Sequence, residues 1–394
     1  MTDNPISISK LIAPLSFSDF FENYWEKNYI HIQKEGNSYD HIIDTNALDA
    51  FLSMQNLKPE GVRLARDGYQ IPETEWTKTT TILNGIQNVI VDPDKVLHHY
   101  YEGATIIISF AELMIPALAN VNSAIEQELG IKSQANVYIT PPNAQGFTQH
   151  YDTHDIILLQ IKGPKTWNLY DTGEELPTST GPFTNEPTLI ETITINTGDI
   201  LYLPRGVVHE AFSSETSTIH INFSLKPRYG FHLIEAIAEL AQKEDVFFRK
   251  VVPHKFSSNK QRADYMSAFN EKLQELLAKH PVEELIKKQE ENFIERQNLD
   301  FNGRLTDAIE YDQISAETTV CRRTGFTYNV EASAHSTTIS FGKKKIVLPK
   351  FVDNGLFLQD APFKVKEIKG LLTEDNKISM VQSLVRTGYL MIMR

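Results

Sequence analysis

Between about residue 134 and residue 228 the chain reads as a succession of strands, short apolar or alternating runs in which a period of two sends successive side chains to opposite faces. Ala135-Asn136-Val137-Tyr138-Ile139-Thr140 is rich in β-branched and aromatic residues and stops at Pro141-Pro142, while the apolar run Ile156–Ile161 stops at Gly163-Pro164. His220-Ile221-Asn222-Phe223-Ser224 alternates strictly, so its even-numbered polar residues share one face, which either lines a pocket or meets water. Upstream, residues 1 to about 125 mix helices and short strands. Ser18 is the expected N-cap of a helix carrying Phe20, Phe21, Tyr24 and Trp25. Ile106-Ile107-Ile108 reads as a buried strand, followed by a helix from Ala117 to Leu129 that Gly130 ends.

After Pro227 the period changes to that of a helix. Leu233, Ile234, Ile237, Leu240 and Ala241 form one stripe, Tyr265, Phe269, Leu273, Leu276 and Leu277 a second, and Leu285, Ile286 and Phe293 a third. From about residue 300 a small mixed segment follows: Thr337–Phe341 and Ile346–Leu348 as strands around a Gly342-Lys343-Lys344-Lys345 turn, helices near 362–372 and 377–387, then a final strand through Leu390-Met391-Ile392. The pattern predicts an α+β chain with three parts: 1–228, a helical region 229–299, and 300–394. At 394 residues the chain exceeds what one core usually supports.

Candidate chemistry sits inside the β-rich part. His150 and Asp152 are two residues apart and share a face if their segment is extended, and His209 follows in Gly198-Asp199-Ile200-Leu201-Tyr202-Leu203-Pro204-Arg205-Gly206-Val207-Val208-His209. Two neutral imidazoles and one carboxylate leave about three of six octahedral positions open, an arrangement suited to non-haem Fe(II) enzymes. A closed zinc site would want four protein ligands, often several cysteines, and Cys321 is the only cysteine. His-x-Asp by itself also arises by chance. His154 lies on the same strand face, but four residues of strand rise about 13 Å, too far for a shared metal, so it reads as a pocket neighbour or an exposed histidine. Asp155 and Glu210 either orient a neighbour by hydrogen bonding or are solvated. The other histidines, such as His31, His98 and His280, lack ligand spacing.

Taken together, Asn136-Val137-Tyr138-Ile139-Thr140-Pro141, Gly146, His150-Tyr151-Asp152, Gln160, Gly163, Lys165-Thr166-Trp167-Asn168-Leu169-Tyr170 and the Gly198–His209 segment resemble the JmjC/cupin-type Fe(II)/2-oxoglutarate-dependent ribosomal oxygenases. The aromatic opening Phe20–Lys27 and Gly103-Ala104-Thr105 extend the resemblance over roughly the first 230 residues. It implies a double-stranded β-helix with His150, Asp152 and His209 holding Fe(II), and 2-oxoglutarate as co-substrate anchored by Lys165. A dicarboxylate needs a cation, which agrees, although a lysine after a Gly-Pro turn is ordinarily solvated. Asn136, Tyr138 and Ser224 fall on positions that look like co-substrate or metal-pocket residues, with strand packing as the plainer alternative. The resemblance further implies that the helical region forms a homodimer, that 300–394 is winged-helix-like, and that the reaction couples oxidative decarboxylation of 2-oxoglutarate to hydroxylation of an Arg or His side chain in a ribosomal protein. Packing of the three helices on the barrel is the plainer reading of their stripes.

Charge and composition change this picture little. Lys and Arg total 38 against 51 Asp and Glu, a net charge of −13 that works against nucleic acid and favours a cationic partner. Lys343-Lys344-Lys345 is read as a solvated hairpin tip. One cysteine, no apolar run of membrane length, and an N-terminus Met1-Thr2-Asp3-Asn4-Pro5 without signal-peptide character point to the cytoplasm and to no membrane partner. No Gly-x-Gly-x-x-Gly, P-loop or Gly-x-Ser-x-Gly signature is present. Three other readings stay open: the same chemistry on a dedicated peptide or natural product, a non-oxygenase cupin binding protein, and a zinc or manganese cupin isomerase.

Overall fold

In a computed structural model, residues 6–34, 39, 41–81, 85–171, 175–181, 183, 186–297, 299 and 301–394 are described. Met1–Pro5, read above for a leader, and residue 300, the expected boundary of the last part, lie outside them. The chain divides into two compact units, Met1–Pro227 and Arg228–Arg394, so the helical region and the small mixed segment fall in one unit.

The first unit contains strands β1 (Ile30–Ile32), β2 (Val62–Arg66), β3 (Tyr69–Gln70), β4 (Thr77–Thr81), β5 (Gln87–Val91), β6 (Thr105–Ile108), β7 (Lys132–Thr140), β8 (Asp155–Lys162), β9 (Lys165–Tyr170), β10 (Leu189–Ile195), β11 (Ile200–Leu203), β12 (Val208–Ser213) and β13 (Thr218–Lys226). An eight-stranded sheet runs β1-β11-β8-β13-β7-β6-β2-β3, and a three-stranded sheet runs β10-β9-β12. Their pairings are antiparallel. Ile156, Leu158, Leu201 and Leu203 of the large sheet pack with Trp167, Leu169, Ile193 and Ile195 of the small one, so the two sheets face each other across an apolar seam. This is the expected double-stranded β-helix.

Alternation decides which side chains enter the barrel. Ala135 and Val137 of β7, Ile157, Leu159 and Ile161 of β8, and Ile221, Phe223 and Leu225 of β13 point outward into a large core shared with the N-terminal helices. That core includes Leu11, Phe20, Phe51, Leu118 and Ile125. The even-numbered residues of β7 and β13 are consequently left on the inner face. Every residue of β13 except Lys226 is buried, so both faces of this strand are covered.

Local rules account for most boundaries. The helix Pro116–Leu129 has proline in its first turn and ends at Gly130, whose φ of 65° is left-handed. The helix bearing Phe20 is capped by Ser16 rather than Ser18: Ser16 Oγ accepts from Asp19 N at 3.1 Å, while Ser18 lies inside Phe17–Asn23 and donates to Glu22 at 3.0 Å. A cap needs extended backbone, which Ser16 has at φ −77° and ψ 160°.

The second unit begins with helices Gly230–Glu244, Asn259–Lys279 and Val282–Glu295. Two small antiparallel sheets follow, built from β14 (Thr319–Arg322), β15 (Asn329–Ala332), β16 (Ser336–Phe341), β17 (Lys344–Pro349), β18 (Phe363–Lys364) and β19 (Leu390–Ile392), ordered β18-β14-β19 and β15-β16-β17. Val320, Phe341, Phe357, Val381, Leu384 and Tyr389 form the core of this segment. The helix expected near 362–372 is instead β18, a 3-10 turn Val365–Glu367 and a bridge from Gly370 to Val352. Phe363 and Lys364 pair with β14, and Gly370 takes a φ of 139°, which no helix contains. The second helix is Glu374–Thr387, opened by Thr373 and closed by Gly388. Among the described residues, no helix is long and apolar enough to cross a membrane.

Gly163 in the β8–β9 turn has a φ of 69°, and an added Cβ would lie 2.4 Å from the Ser217 carbonyl oxygen. Gly163→Ala should cost roughly 1–3 kcal/mol through backbone strain alone, read as a lowered thermal midpoint of the whole chain. An unchanged midpoint would contradict this assignment.

Candidate metal centre

The segment between β7 and β8 is irregular, and its position is set by backbone bonds to β12 and the turn before it. His150 N donates to His209 O at 3.1 Å, His209 N donates to His150 O at 2.8 Å, and Gly206 N donates to Asp152 O at 2.9 Å. From the other side, Asp67 and Gly68 in the β2–β3 turn donate to the carbonyls of Gln145 and Gly146, each at 2.9 Å. Thus His150 and Asp152 are held at the edge of the sheet by a bridge rather than within a regular strand. The outcome for the ligand atoms is the same: one ligand atom each of His150, Asp152 and His209 lies within 4.8 Å of the others.

Both imidazoles are oriented by their own neighbours. His150 Nδ1 lies 2.8 Å from the Thr148 carbonyl and His209 Nδ1 lies 3.0 Å from the Val207 carbonyl. A carbonyl only accepts, so Nδ1 carries the proton in each ring and Nε2 presents a lone pair. The rings are 4.4 Å apart between centroids, and His209 Nε2 stands 4.0 Å from Asp152 Oδ2. Trp167 packs on His209 at 5.6 Å and Phe147 on His150 at 5.7 Å. Burial, with His150 close by, lowers the pKa of His209 to about 4, which keeps it in the neutral form that binds metals.

These residues open onto a cavity of about 370 Å³ that also contains His154, Asn136, Tyr138, Lys165 and Ser224. His154 is half-buried, outside the ligand cluster, with its pKa lowered by burial. Asp155 accepts from Tyr202 Oη at 2.7 Å and Arg205 N at 2.9 Å, supporting the turn that leads to His209. Glu210 accepts from Gln145 at 2.9 Å and from Tyr170 and Asn168, so it braces the barrel wall.

Lys165 opens β9 and is 4 % exposed, the opposite of a solvated turn lysine. Its ammonium donates to Thr140 Oγ1 at 3.0 Å, and no carboxylate among the described residues lies within ion-pair distance of it. Burial lowers its pKa to about 7.

On the inner face, β7 and β13 place Gln134 opposite Ser224, Asn136 opposite Asn222 and Tyr138 opposite His220. Tyr138 and His220 stack at 4.6 Å and 4°, and His220 meets the edge of Trp167 at 5.7 Å. Trp167 Nε1, His220 Nδ1 and Asn222 Oδ1 are buried without a hydrogen-bond partner. Orphaned polar atoms beside a buried lysine fit a polar, anionic ligand, which would satisfy them. The net charge of −13 does not extend inward: Arg63, Lys165 and Lys226 line the cavity, and among the described residues its one lining carboxylate is Asp152. His220 and Asn222 carried a sequence signal in the alternation of β13, whereas Lys226, beyond that stretch, and Arg63, on β2, carried none.

The JmjC domain family matches residues 113–232, which span the last helix before β7 and the barrel through β13. Over those residues the chain is similar to JmjC domains. It is 28% identical over 276 residues to the bifunctional lysine-specific demethylase and histidyl-hydroxylase NO66 of Dictyostelium discoideum, covering 64% of this chain and 49% of that protein. It is 26% identical to ribosomal oxygenase 1 of Rattus norvegicus, covering 66% and 43%. The chain therefore spans about half or less of the length of these curated relatives. Among solved structures, the ribosomal oxygenase YcfD of Escherichia coli aligns over 97% of this chain and 99% of its own, with a TM-score of 0.58 at 17% identity. YcfD in complex with cobalt and 2-oxoglutarate aligns with a TM-score of 0.57, also at 17% identity. These structural likenesses are of fold.

The isolated Lys165 charge has a consequence for stability. Its folded pKa, about 7, lies below the ordinary 10.5, so the charged form is penalised on folding: the cost is full below pH 7, falls between pH 7 and 10.5, and vanishes above. In ligand-free protein, Lys165→Met should raise the thermal midpoint at pH 7 by of order 5 °C, with the difference closing toward pH 10. A variant melting below wild type at pH 7 would refute this.

Proposed function

We propose that the protein is an Fe(II)- and 2-oxoglutarate-dependent oxygenase that hydroxylates a side chain of a protein, an Arg or His of a ribosomal protein. The observation that carries this reading is the pairing, in one cavity, of a two-histidine, one-aspartate ligand set with a buried lysine that lacks a carboxylate. The names of the relatives, ribosomal oxygenase and histidyl-hydroxylase, agree with this reading, as does the neighbour that holds cobalt and 2-oxoglutarate.

In this reading His150, Asp152 and His209 hold the metal through Nε2, a carboxylate oxygen and Nε2. Lys165 receives the distal carboxylate of 2-oxoglutarate, with Thr140 steadying the ammonium. Bound there, Fe(II) and 2-oxoglutarate would supply the oxidation, in which dioxygen and 2-oxoglutarate give succinate and carbon dioxide while one oxygen atom enters a C–H bond. The chain's own task is placement: Trp167 and Phe147 exclude water from the imidazoles, and Asn136, Tyr138 and Ser224 line the remaining space.

The helices after residue 229 expose Phe231, Ile234, Met266 and Ile286, and this apolar surface supports a homodimer. The segment after 300 is assigned a winged-helix-like role in interaction or structure rather than DNA binding, since Lys344 is engaged by the Thr387 carbonyl. The single buried Cys321 suits a cytoplasmic setting.

Anaerobically purified, Fe(II)-reconstituted protein given 2-oxoglutarate and oxygen should form succinate, and His209→Ala or Asp152→Ala should reduce this to the metal-free background. Lys165→Met should raise the KM for 2-oxoglutarate by ~10–100-fold, the loss of one hydrogen-bonded charge pair. Absence of both turnover and 2-oxoglutarate binding in the wild type would overturn the proposal.

A further inference from the structure

Three hydrogen bonds fasten the stretch that runs from Asp152 into β8 to the turn that leads into His209. Gly206 N donates to the Asp152 carbonyl at 2.9 Å. A little further on, the Asp155 carboxylate accepts from Tyr202 Oη at 2.7 Å and from Arg205 N at 2.9 Å. Asp155 is 1 % exposed, so a carboxylate oxygen left without its donor would find no water to replace it. The same turn is closed by Val207 N donating to Pro204 O at 3.3 Å, and it presents the Val207 carbonyl that orients the His209 ring.

This clamp is braced by the N-terminal segment. Glu26 N donates to Tyr202 Oη at 2.9 Å, and the Arg205 guanidinium donates to Glu26 Oε1 at 2.8 Å. The Tyr202 hydroxyl thus accepts one bond and donates another, which fixes its direction. Phe20 and Trp25 pack on the Tyr202 ring at 4.9 Å and 6.3 Å. Glu26 has a φ of 53°, a left-handed backbone that residues other than glycine rarely adopt, and in that conformation both its amide and its carboxylate reach the clamp.

None of Glu26, Asp155, Tyr202 and Arg205 lines the cavity. They act on it through the backbone on either side of two candidate ligands, and ligand positions have to be held to about 0.5 Å for a metal to be bound well. We propose that these four are positioning residues for the metal: they set the spacing of Asp152 and His209, so that metal affinity and ligand field, and not folding alone, depend on the Tyr202 hydroxyl. This rests on the metal centre described above and is independent of the substrate.

The test uses the full, metal-free chain, titrated with Mn(II), whose free ion is read by electron paramagnetic resonance, and with Co(II), read by its visible bands; neither readout involves turnover. Tyr202→Phe keeps the ring on which Phe20 and Trp25 pack and removes only the hydroxyl. It should raise the Kd for Mn(II) by about tenfold and alter the position or intensity of the Co(II) bands. Glu26→Gln and Arg205→Met should each raise that Kd by about threefold, and the double variant by no more than the larger single effect, because both break one contact. Ile125→Val, in the core helix Pro116–Leu129 and outside this network, is the control for stability: it should lower the thermal midpoint and leave the Kd and the bands as in wild type. A folded Tyr202→Phe with wild-type Kd and bands would overturn the inference. Should that variant not fold, a wild-type Kd in both Glu26→Gln and Arg205→Met would do so. A loss of affinity in Ile125→Val equal to that in Tyr202→Phe would reduce the effect to stability and overturn it too. Wild-type protein that binds neither ion would overturn the metal centre itself, and this inference with it.

Discussion

A strand buried on both faces must satisfy two environments at once, and β13 is that strand here. Its odd residues Ile221, Phe223 and Leu225 are locked into the core beneath the N-terminal helices, which removes any freedom of register. A slip of one residue would drive His220, Asn222 and Ser224 into that apolar core at a cost of several kcal/mol each. Because β7 and β8 pair with β13 on either side, the same constraint fixes Asn136 and Tyr138, and places the Gly163 turn from which Lys165 enters the barrel. The polar pocket is thus held in place by hydrophobic packing on the far side of the same sheet.

The metal-ligating side chains are positioned differently, by backbone hydrogen bonds across an irregular segment. The reciprocal bonds between His150 and His209 act like one rung of a ladder and bring two rings into contact although their residues lie far apart in sequence. The Thr148 and Val207 carbonyls then choose the tautomer. Carbonyl partners leave both imidazoles less basic than carboxylate partners would, and they add no charge to a site whose only lining carboxylate among the described residues is Asp152 of the candidate ligand set. With Lys165 buried and no carboxylate among the described residues within ion-pair distance of it, the ligand-free barrel carries a charge that lowers its stability.

What the sequence disclosed follows from how local each signal is. His150 and Asp152 were legible because their spacing is short, and the β13 face because alternation is a local pattern; the helix ending at Gly130 was legible from one glycine. Lys165 was not: a lysine beside Gly-Pro reads as solvated until the facing sheet covers it, and only the family resemblance supplied its role. Arg63 reaches the cavity through the order of the large sheet, a non-local fact. Ser16 and Ser18 are equally good caps by residue type, and backbone dihedrals decided between them. Near 362–372 the helical spacing of apolar residues lost to strand pairing with β14. Acidity did not disclose the cavity lining, where the charged residues are Arg63, Asp152, Lys165 and Lys226.

The central claim is that one cavity holds a metal with open coordination positions and a dicarboxylate anchored at Lys165. Its most direct test is anaerobic titration of Fe(II)-loaded protein with 2-oxoglutarate, followed by visible absorption. Chelation of the metal by the keto acid should produce a saturable charge-transfer band that Asp152→Ala abolishes and that Lys165→Met shifts to higher 2-oxoglutarate concentration. A protein that binds Fe(II) at His150, Asp152 and His209 yet develops no such band at saturating 2-oxoglutarate would contradict the account.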